Sequence, residues 1–368
     1  MLSTLLRDLV AIDSVSARSN LPIAHHLQSR LEKLGFEVSL RPHTEGKVNL
    51  LARAGPRREG GLALVAHTDT VPYDSAWDEA LQLTEREGKL FGRGSVDTKA
   101  GLACALWAVE RVDLSLLREP LWVVATADEE IGCLGARRLM EERALSVEHA
   151  LVAEPTRMIP VFAHKGYWAA QVEVHGVEGH SAFPETGVSA VWKAARLLTA
   201  LEQVAHEMKG LQHPDFSPPY TTLNVGTLEG GKARNVIAGS VRFPLEWRPL
   251  PGQDGEEVAH RVRAAIARLS AEDPEFRATF EVIRRDPAAS SHPGAPLAQL
   301  VSQLTGKAPG TIPFGTELPY LVGLGAQAVV FGPGDIREAH KTGEFVPADE
   351  LEQAAGVYLE VVRRFCCG

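Results

Sequence analysis

Imidazole and carboxylate side chains follow several short apolar runs of this sequence, at the points where the runs end. The run Leu62–Ala66 leads directly into His67, and Asp69 comes two residues later. In an extended chain these two side chains point to the same side. Imidazole and carboxylate suit a borderline cation such as Zn²⁺. A single His-x-Asp is weak evidence, because most histidines at strand ends are ordinary solvated residues.

The same residue types recur after later predicted strands. The further candidates are Asp128-Glu129-Glu130, Glu154, Asp97 ahead of a predicted helix, and His340 in the loop 332–346. Each has an ordinary explanation, since Asp97 could cap its helix and His340 could be a surface histidine. Open α/β sheets, however, place ligand sites beyond the carboxyl ends of their strands. Carboxylates gathered there repel one another unless a cation holds them, so the pattern predicts a metal site.

The number of candidate ligands suits two metal ions. Two zinc ions that share one carboxylate and one water need about five protein ligands. The sequence offers five: His67, Asp97, Glu130, Glu154 and His340. Glu129 is left over, and it is predicted to act as a base on the shared water. Consecutive residues at a strand end point in different directions, so Glu130 can bind metal while Glu129 faces the substrate.

The elements that carry these residues predict an α/β fold in a discontinuous domain. Strands alternate with helices over residues 1–164, which indicates a mostly parallel central sheet with helices on both faces. Residues 165–285 change to a β-α-β-β-α-β order, typical of a ferredoxin-like α+β unit. The α/β character returns over residues 286–368. We therefore expect one catalytic domain, 1–164 with 286–368, interrupted by an inserted domain.

Composition excludes several other classes of protein. The 368 residues are 45% hydrophobic and 23% charged, as in ordinary globular proteins, and a net charge of −9 argues against nucleic acid or an anionic membrane as partner. No apolar run reaches membrane-spanning length. The N-terminal segment has neither a signal-peptide nor a transit-peptide pattern. Four cysteines without C-x-x-C spacing predict buried free thiols and a cytoplasmic location.

Short motifs distributed over nearly the whole chain resemble those of the di-zinc amidohydrolase and peptidase family. That family includes acetylornithine deacetylase, succinyl-diaminopimelate desuccinylase, aminoacylase and the glutamate carboxypeptidases. The motifs are HTDTVP (67–72), GRGSVDTKAG (92–101), ADEEIG (127–132), AEPT (153–156) and EAH (338–340). The segments 164–187, 246–252 and 314–321 are most similar to the acetylornithine deacetylase branch.

The resemblance assigns roles to the candidate ligands. It implies one metal ion on His67 and Glu154. A second ion would be bound by His340 and Glu130, with Asp97 bridging the two. The ions are expected to be Zn²⁺, with Co²⁺ as a substitute.

Details around the ligands are also implied. Asp69 would orient His67 through the ring nitrogen that does not bind metal. The peptide after Asp97 is cis in relatives. Lys341 departs from the family pattern, which has an uncharged residue there.

In the inserted domain the resemblance singles out His180, Asn235 and Arg248. His180 would stabilise the oxyanion in the site of a partner subunit, which implies a homodimer formed through this domain. Asn235 and Arg248 would contact the substrate carboxylate or carbonyl, since arginine binds carboxylates bidentately. On residue type alone, His180 reads as a loop histidine and Arg248 as a solvated strand-end arginine.

The expected reaction is metal-assisted hydrolysis of an N-acyl amino acid, with Glu129 as base. N-acetylornithine is the leading substrate, converted to ornithine and acetate for arginine synthesis. Gly315 and Thr316 would face the substrate, and Glu317 would bind its ammonium group. A succinyl-diaminopimelate desuccinylase, or an aminoacylase or dipeptidase, is the alternative within the family. A non-catalytic metal or amino-acid binder fits less well, because a binder has no need of Glu129.

Overall fold

The computed structural model describes residues 1–367, which form two compact units. The first unit contains Met1–Ala163, Ser290–Thr311 and the chain from Thr316 onward. The second contains His164–Ala289 together with Ile312–Gly315. The sequence analysis set the inserted domain at 165–285 and left residues 312–315 in the catalytic domain. The short return of the chain is a tertiary feature that local patterns do not reveal.

A central sheet organises the first unit, in the order β1-β2-β6-β3-β7-β18-β8. Strands β6, β3, β7 and β18 are parallel, whereas β1–β2, β2–β6 and β18–β8 are antiparallel pairs. The predicted α/β class with a mostly parallel central sheet is confirmed. The strands in and beside this sheet are β1 (Glu37–Thr44), β2 (Lys47–Ala54), β3 (Leu62–His67), β6 (Leu121–Thr126), β7 (His149–Val152), β8 (Val161–His164), β16 (Ala289–Ser290), β17 (Gly310–Ile312) and β18 (Gln327–Val330).

Helices pack against this sheet, and α3 is the most deeply buried of them. The helices are α1 (Leu2–Val10), α2 (Leu21–Lys33), α3 (Lys99–Val109), α4 (Leu134–Glu141), α7 (Pro296–Thr305), α8 (Leu318–Gly323) and α9 (Ala348–Val362). Every residue of α3 except Trp107 is buried. Its many small residues allow close packing: a Cβ on Gly101 would lie 2.4 Å from the Cβ of Ala153, just after β7. The start of α3 is therefore held against the end of a central strand.

A small three-stranded sheet, β19-β5-β4, lies in the same unit. Two of its strands, β4 (Thr84–Arg86) and β5 (Lys89–Phe91), form a hairpin with Gly88 at positive φ in the turn. The third strand, β19 (Phe345–Pro347), was not predicted. It pairs antiparallel with β5, Phe345 opposite Phe91. This pairing brings the segment after His340 alongside the segment that leads to Asp97.

The second unit has the β-α-β-β-α-β order predicted for it. Its main elements are β9 (Tyr167–His175), α5 (Ala190–Met208), β11 (Thr222–Asn224), β14 (Ser240–Arg248), α6 (Glu256–Glu272) and β15 (Arg277–Asp286), with the short strands β10 (Gly179–His180), β12 (Glu229–Gly230) and β13 (Val236–Ile237). The sheet order is β11-β14-β9-β15. Alternate residues of β14, including Phe243 and Trp247, pack with α5 and α6 in one core.

The C-terminal helix and the cysteines follow the sequence closely. The C-terminal helix is α9, which passes into a π-helical turn at Arg363–Cys367. No disulfide joins the cysteines within residues 1–367, and Cys104, Cys133 and Cys366 are buried as predicted, whereas Cys367 is half-buried. Among residues 1–367, no helix is both long enough and apolar enough to cross a membrane.

Candidate metal centre

The carboxyl ends of β3, β6 and β7 meet at one edge of the central sheet. His67 ends β3 and pairs in register with Thr126 at the end of β6, and Glu154 lies two residues beyond β7. Asp97 precedes α3, and the Thr98 hydroxyl donates to the Ala153 carbonyl at 3.0 Å. Parallel strands and one buried helix thus bring His67, Asp97 and Glu154 together. All three are at most 5% exposed.

The five predicted ligands form two groups that share Asp97. In the first ligand group (His67, Asp97, Glu154), Nε2 of His67 lies 3.0 Å from Oδ1 of Asp97 and 3.9 Å from Oε1 of Glu154. In the second ligand group (Asp97, Glu130, His340), Nε2 of His340 lies 3.1 Å from Oδ2 of Asp97 and 3.0 Å from Oε2 of Glu130. Asp97 therefore presents a different oxygen to each group.

Burial and mutual repulsion shift the pKa values of the acidic residues in both ligand groups. Burial, followed by the negative charge of Asp97, raises the pKa of Glu154 well above its usual value, and the same causes raise the pKa of Glu130. Hydrogen bonds to Asp97 and Glu130 raise the pKa of His340 to about 10. Burial alone would raise the pKa of Asp97, but hydrogen bonds from His340 and His67 hold it below its usual value. In the metal-free protein, hydrogen-bonded protons therefore lie between the same imidazole and carboxylate groups that a divalent cation could bind.

The residues present fit two divalent metal ions. The donors are imidazole nitrogens and carboxylate oxygens, the set preferred by Zn²⁺ and similar cations. Oε1 of Glu130 is buried and has no hydrogen-bond partner within residues 1–367. A buried polar atom without a partner costs free energy unless a ligand satisfies it. The orphaned oxygen and the shared Asp97 both match a site for two ions.

His67 is oriented by the main chain rather than by a carboxylate. Its Nδ1 lies 3.0 Å from the Asp69 carbonyl oxygen but 3.7 Å from the Asp69 carboxylate. A carbonyl only accepts, so in the neutral ring Nδ1 carries the proton and Nε2 faces the ligand group. The Asp69 carboxylate instead accepts the backbone N–H groups of Glu129 and Glu130, at 3.1 and 3.3 Å. The expected link from Asp69 to His67 exists, but its carboxylate anchors the Glu129-Glu130 turn.

Glu129 lies beside the ligand groups without belonging to either. Burial, together with the charges of Glu130, Asp97 and Glu317, raises the pKa of Glu129 to about 8 against the opposing effect of His67. The thiol of Cys133 donates to Oε1 of Glu129 at 3.3 Å. Sequence reasoning treated Cys133 only as a buried thiol. Its position four residues after Glu129, at a predicted helix start, was the signal that could have linked the two.

The sequence comparison identifies the family. A model described as Peptidase family M20/M25/M40 matches residues 63–364, which is most of the chain. The chain belongs to this family. The family predicted from the motifs is therefore confirmed, and the two ligand groups lie on its matched residues.

Two curated M20 relatives match over almost their whole length. An acetylornithine deacetylase from Myxococcus xanthus is 46% identical over 99% of this chain and 97% of its own length. A second acetylornithine deacetylase, from Proteus mirabilis (strain HI4320), is 35% identical over 98% of this chain and 96% of its own.

Solved structures share the M20 fold. A tripeptidase from Staphylococcus aureus superposes with a TM-score of 0.82 at 23% identity and covers 99% of this chain and 97% of its own. A Bacillus subtilis protein described as a dinuclear metal binding peptidase from the M20 family has a TM-score of 0.71 at 14% identity, over 98% and 97% of the two chains. At these identities the likeness concerns the fold alone.

Two further features of the site are the peptide bond after Asp97 and the charge of Lys341 beside His340. The Asp97–Thr98 peptide is cis, as the resemblance implies. Lys341, which departs from the family pattern, forms an ion pair with Glu338 at 2.6 Å on the exposed side of the loop. Its charge is thereby partly balanced close to His340.

Glu317 and Thr316 lie at the start of α8. Thr316 Oγ1 accepts the backbone N–H of Leu318 at 3.1 Å. Glu317 is only 1% exposed, and its Oε1 has no hydrogen-bond partner in the described part of the chain. Burial raises the pKa of Glu317 to about 7, with a hydrogen bond from Thr126 and the charge of His67 opposing this. The carboxylate thus lies near the first ligand group.

The remaining predicted residues lie in the second unit. His180 pairs with Val236 across β10 and β13, and the adjacent N–H of Ser181 donates to the Asn235 carbonyl at 3.1 Å. The structure therefore brings His180 and Asn235 together. The Arg248 guanidinium stacks 3.9 Å from the Tyr167 ring centre and pairs with Glu246. Gly315 belongs to this unit as well. The roles of these residues toward substrate stay predictions.

Proposed function

We propose that this chain is a metal-dependent hydrolase of N-acyl amino acids and that its substrate is N-acetylornithine. The observation that carries the reaction type is the pair of ligand groups sharing Asp97, with the carboxylate of Glu129 beside them and bound to neither. The assignment of the substrate rests on the similarity to two acetylornithine deacetylases, which match the chain nearly end to end.

His67, Glu154 and Asp97 would hold one metal ion, and Asp97, Glu130 and His340 the other. Ions bound there would polarise the substrate carbonyl and acidify a water molecule. Zn²⁺ is the proposed metal and Co²⁺ a plausible substitute, because the donors are imidazole and carboxylate. Asp69 would keep the ligands in place by anchoring the turn that carries Glu129 and Glu130.

Glu129 is the proposed general base and acid. Its carboxylate lies beside both ligand groups and belongs to neither, so it is available to take and return a proton. It would accept the proton of the attacking water at a carboxylate oxygen and then deliver it to the leaving amine. The thiol of Cys133 holds one of its oxygens, which limits the directions the carboxylate can take.

A further set of residues is proposed to recognise the substrate. Arg248 and Asn235 would bind the substrate carboxylate or carbonyl, and His180 would stabilise the oxyanion. Gly315 and Thr316 would lie along the substrate. Glu317 would receive the ammonium of the ornithine side chain. Its support is the buried carboxylate oxygen that lacks a partner, which an ammonium could satisfy.

A homodimer formed through the second unit is also part of the proposal. Large apolar side chains are exposed there: Trp192 is 74% exposed, Phe183 57% and Val191 46%. The strands β11 and β15 are edges of their sheet. Exposed apolar side chains and open strand edges both favour association, and a two-fold pairing would cover them on both copies.

The proposed reaction releases ornithine, a precursor for arginine synthesis, and we place it in the cytoplasm. The lack of disulfides within residues 1–367, where three of the four cysteines are buried, fits a reducing compartment.

A substrate panel tests this function and the role of Glu317 together. Wild type should hydrolyse acetylornithine much faster than acetylmethionine, which has similar length and no charge. Glu317→Gln should reduce that preference by roughly tenfold or more, because a buried carboxylate no longer faces the ammonium. Faster hydrolysis of succinyl-diaminopimelate would favour the desuccinylase alternative. No hydrolysis of any acyl amino acid with added Zn²⁺ or Co²⁺ would contradict the proposal, and an unchanged preference in Glu317→Gln would leave Glu317 without this role.

A further inference from the structure

A buried ion pair lies directly behind Asp97, outside both ligand groups. Nη1 of Arg93 donates to Oε2 of Glu344, and the side chains are 3% and 1% exposed. The two residues are 251 positions apart in the chain. Neither was singled out from the sequence, and the proposed chemistry does not use either of them.

The second oxygen of Glu344 binds the backbone that carries Asp97. Oε1 accepts the N–H of Val96 at 3.1 Å and the N–H of Asp97 itself at 3.2 Å. The carbonyl of Glu344 accepts the N–H of Gly92 at 3.0 Å and the hydroxyl of Ser95 at 3.3 Å. Together with the bond from Arg93, the segment from 92 to 97 therefore donates five hydrogen bonds to this one residue.

Arg93 is itself held in place. Its backbone N–H donates to the Ala80 carbonyl at 2.7 Å, and Nη2 donates to the Pro72 carbonyl at 3.2 Å. The guanidinium lies 5.4 Å from the ring centre of Trp77. A planar cation fixed by three contacts gives Glu344 a counter-charge of defined position.

Glu344 also belongs to the segment that carries His340. It follows His340 by four residues and directly precedes β19, which pairs with β5 just before Gly92. One side chain therefore connects the backbone at Asp97 with the loop of His340, two members of the second ligand group.

A gain in stability does not by itself explain this buried ion pair. Burying two charged groups takes both out of water, which costs free energy that their mutual attraction often does not recover. Buried ion pairs are often replaceable by apolar residues without loss of stability. Outer hydrogen bonds to metal-binding residues, by contrast, commonly change metal affinity by about 10- to 100-fold.

We propose that Glu344, with Arg93 as its counter-charge, is a positioning residue that sets Asp97 against His340 and so determines the affinity of the second ligand group for its metal ion. The proposal rests on the two-metal function proposed above. It concerns the arrangement of the ligands and adds no group that touches substrate.

Metal titration of purified, metal-stripped protein tests it directly. Calorimetry with Zn²⁺, and the visible absorption of bound Co²⁺, report each binding step without reference to activity. Glu344→Ala removes the carboxylate, and we expect one of the two binding steps to lose at least about tenfold in affinity, with a smaller loss for the other. Glu344→Gln keeps an oxygen that can accept the two N–H groups, so it should recover part of that loss. Glu352→Gln, a change at an exposed position of α9, is the control and should match wild type.

The outcomes separate this inference from the proposed function. If wild type binds two ions and Glu344→Ala binds both as tightly, or weakens both equally, the positioning role is wrong and the proposed function stands. If wild type binds no divalent ion, the proposed function itself fails. Should Glu344→Ala not fold, Glu344→Gln decides: a selective loss at one ion supports the inference, and binding equal to wild type overturns it.

Discussion

Glu129 and Glu130 are consecutive carboxylates with different surroundings. Oε2 of Glu130 lies 3.0 Å from His340, within the second ligand group, whereas Oε1 of Glu129 accepts the thiol of Cys133. The backbone N–H groups of both residues are held by the two oxygens of Asp69. A single anchored turn therefore supplies a ligand and a base from adjacent positions.

Exchanging each carboxylate for an amide should separate these two roles. In Glu129→Gln the rate should fall by roughly 10²–10⁴, because the amide cannot accept a proton, while metal content persists. In Glu130→Gln the binding of metal should weaken. Steady-state kinetics and metal analysis on both variants measure this. Retained activity in Glu129→Gln, with equal metal loss in both proteins, would show that the roles are assigned wrongly.

At the scale of elements, the close contact of α3 with the end of β7 positions Asp97 beside Glu154. Gly101 permits it, since any side chain there would meet the Cβ of Ala153. The hydroxyl of Thr98 bonds the Ala153 carbonyl at the same place. The first ligand group thus depends on how closely one helix approaches one strand.

Gly101→Ala tests this contact. The added methyl group has no room at 2.4 Å, so α3 must shift, and we expect a loss of about 1–3 kcal/mol in stability together with weaker metal binding. Gly356→Ala in α9 is the matched control. A Cβ there meets nothing within 4 Å, so this change should be neutral or stabilise by up to about 1 kcal/mol. Denaturant unfolding compares them, and equal effects of the two substitutions would contradict the tight contact.

At the scale of the whole molecule, the cluster of acids makes stability depend on pH and on metal. The pKa values of Glu317, Glu129 and His340 are raised to about 7, 8 and 10 in the metal-free protein. The native state therefore holds protons that the unfolded chain has released. Such groups stabilise the fold at low pH, and this contribution is lost as pH rises through the native pKa values.

Metal-stripped protein should accordingly become less stable between about pH 6.5 and 8. Burial lowers the pKa values of Lys99 and Lys165 to about 8. Above pH 8 the unfolded chain therefore holds more protons at these two lysines than the native state does. Their effect opposes the trend only above that range. With Zn²⁺ bound, the ligands give up their protons, so stability should depend less steeply on pH. Calorimetric melting temperatures with chelator and with metal measure both curves. A metal-free protein that gains stability over this range would contradict the assignment.

The proposed dimer is tested by mixing inactive subunits. Glu129→Gln and His180→Ala should each be nearly inactive alone. If His180 serves the metal centre of a partner, a heterodimer contains one site with both residues intact, so activity should partly return after subunit exchange. Wild type mixed with Glu129→Gln is the control for exchange itself. Exchange without recovery would mean that His180 acts within its own subunit or has no catalytic role.

The sequence by itself determined which residue types stand at the strand ends, the alternation of strands and helices, and the β-α-β-β-α-β order of the second unit. These follow from local periodicity and from short motifs, which need no knowledge of packing. The identity of the five ligand candidates was available for the same reason.

Only the tertiary structure decided how those residues meet. It gives each oxygen of Asp97 to a different histidine, directs the Asp69 carboxylate to the backbone of Glu129 and Glu130, and places Glu344 behind Asp97 across 247 positions of sequence. The pairing of β19 with β5 and the return of Ile312–Gly315 to the second unit are of the same kind. Each depends on which distant segments pack together, and a local sequence pattern carries no information about that choice.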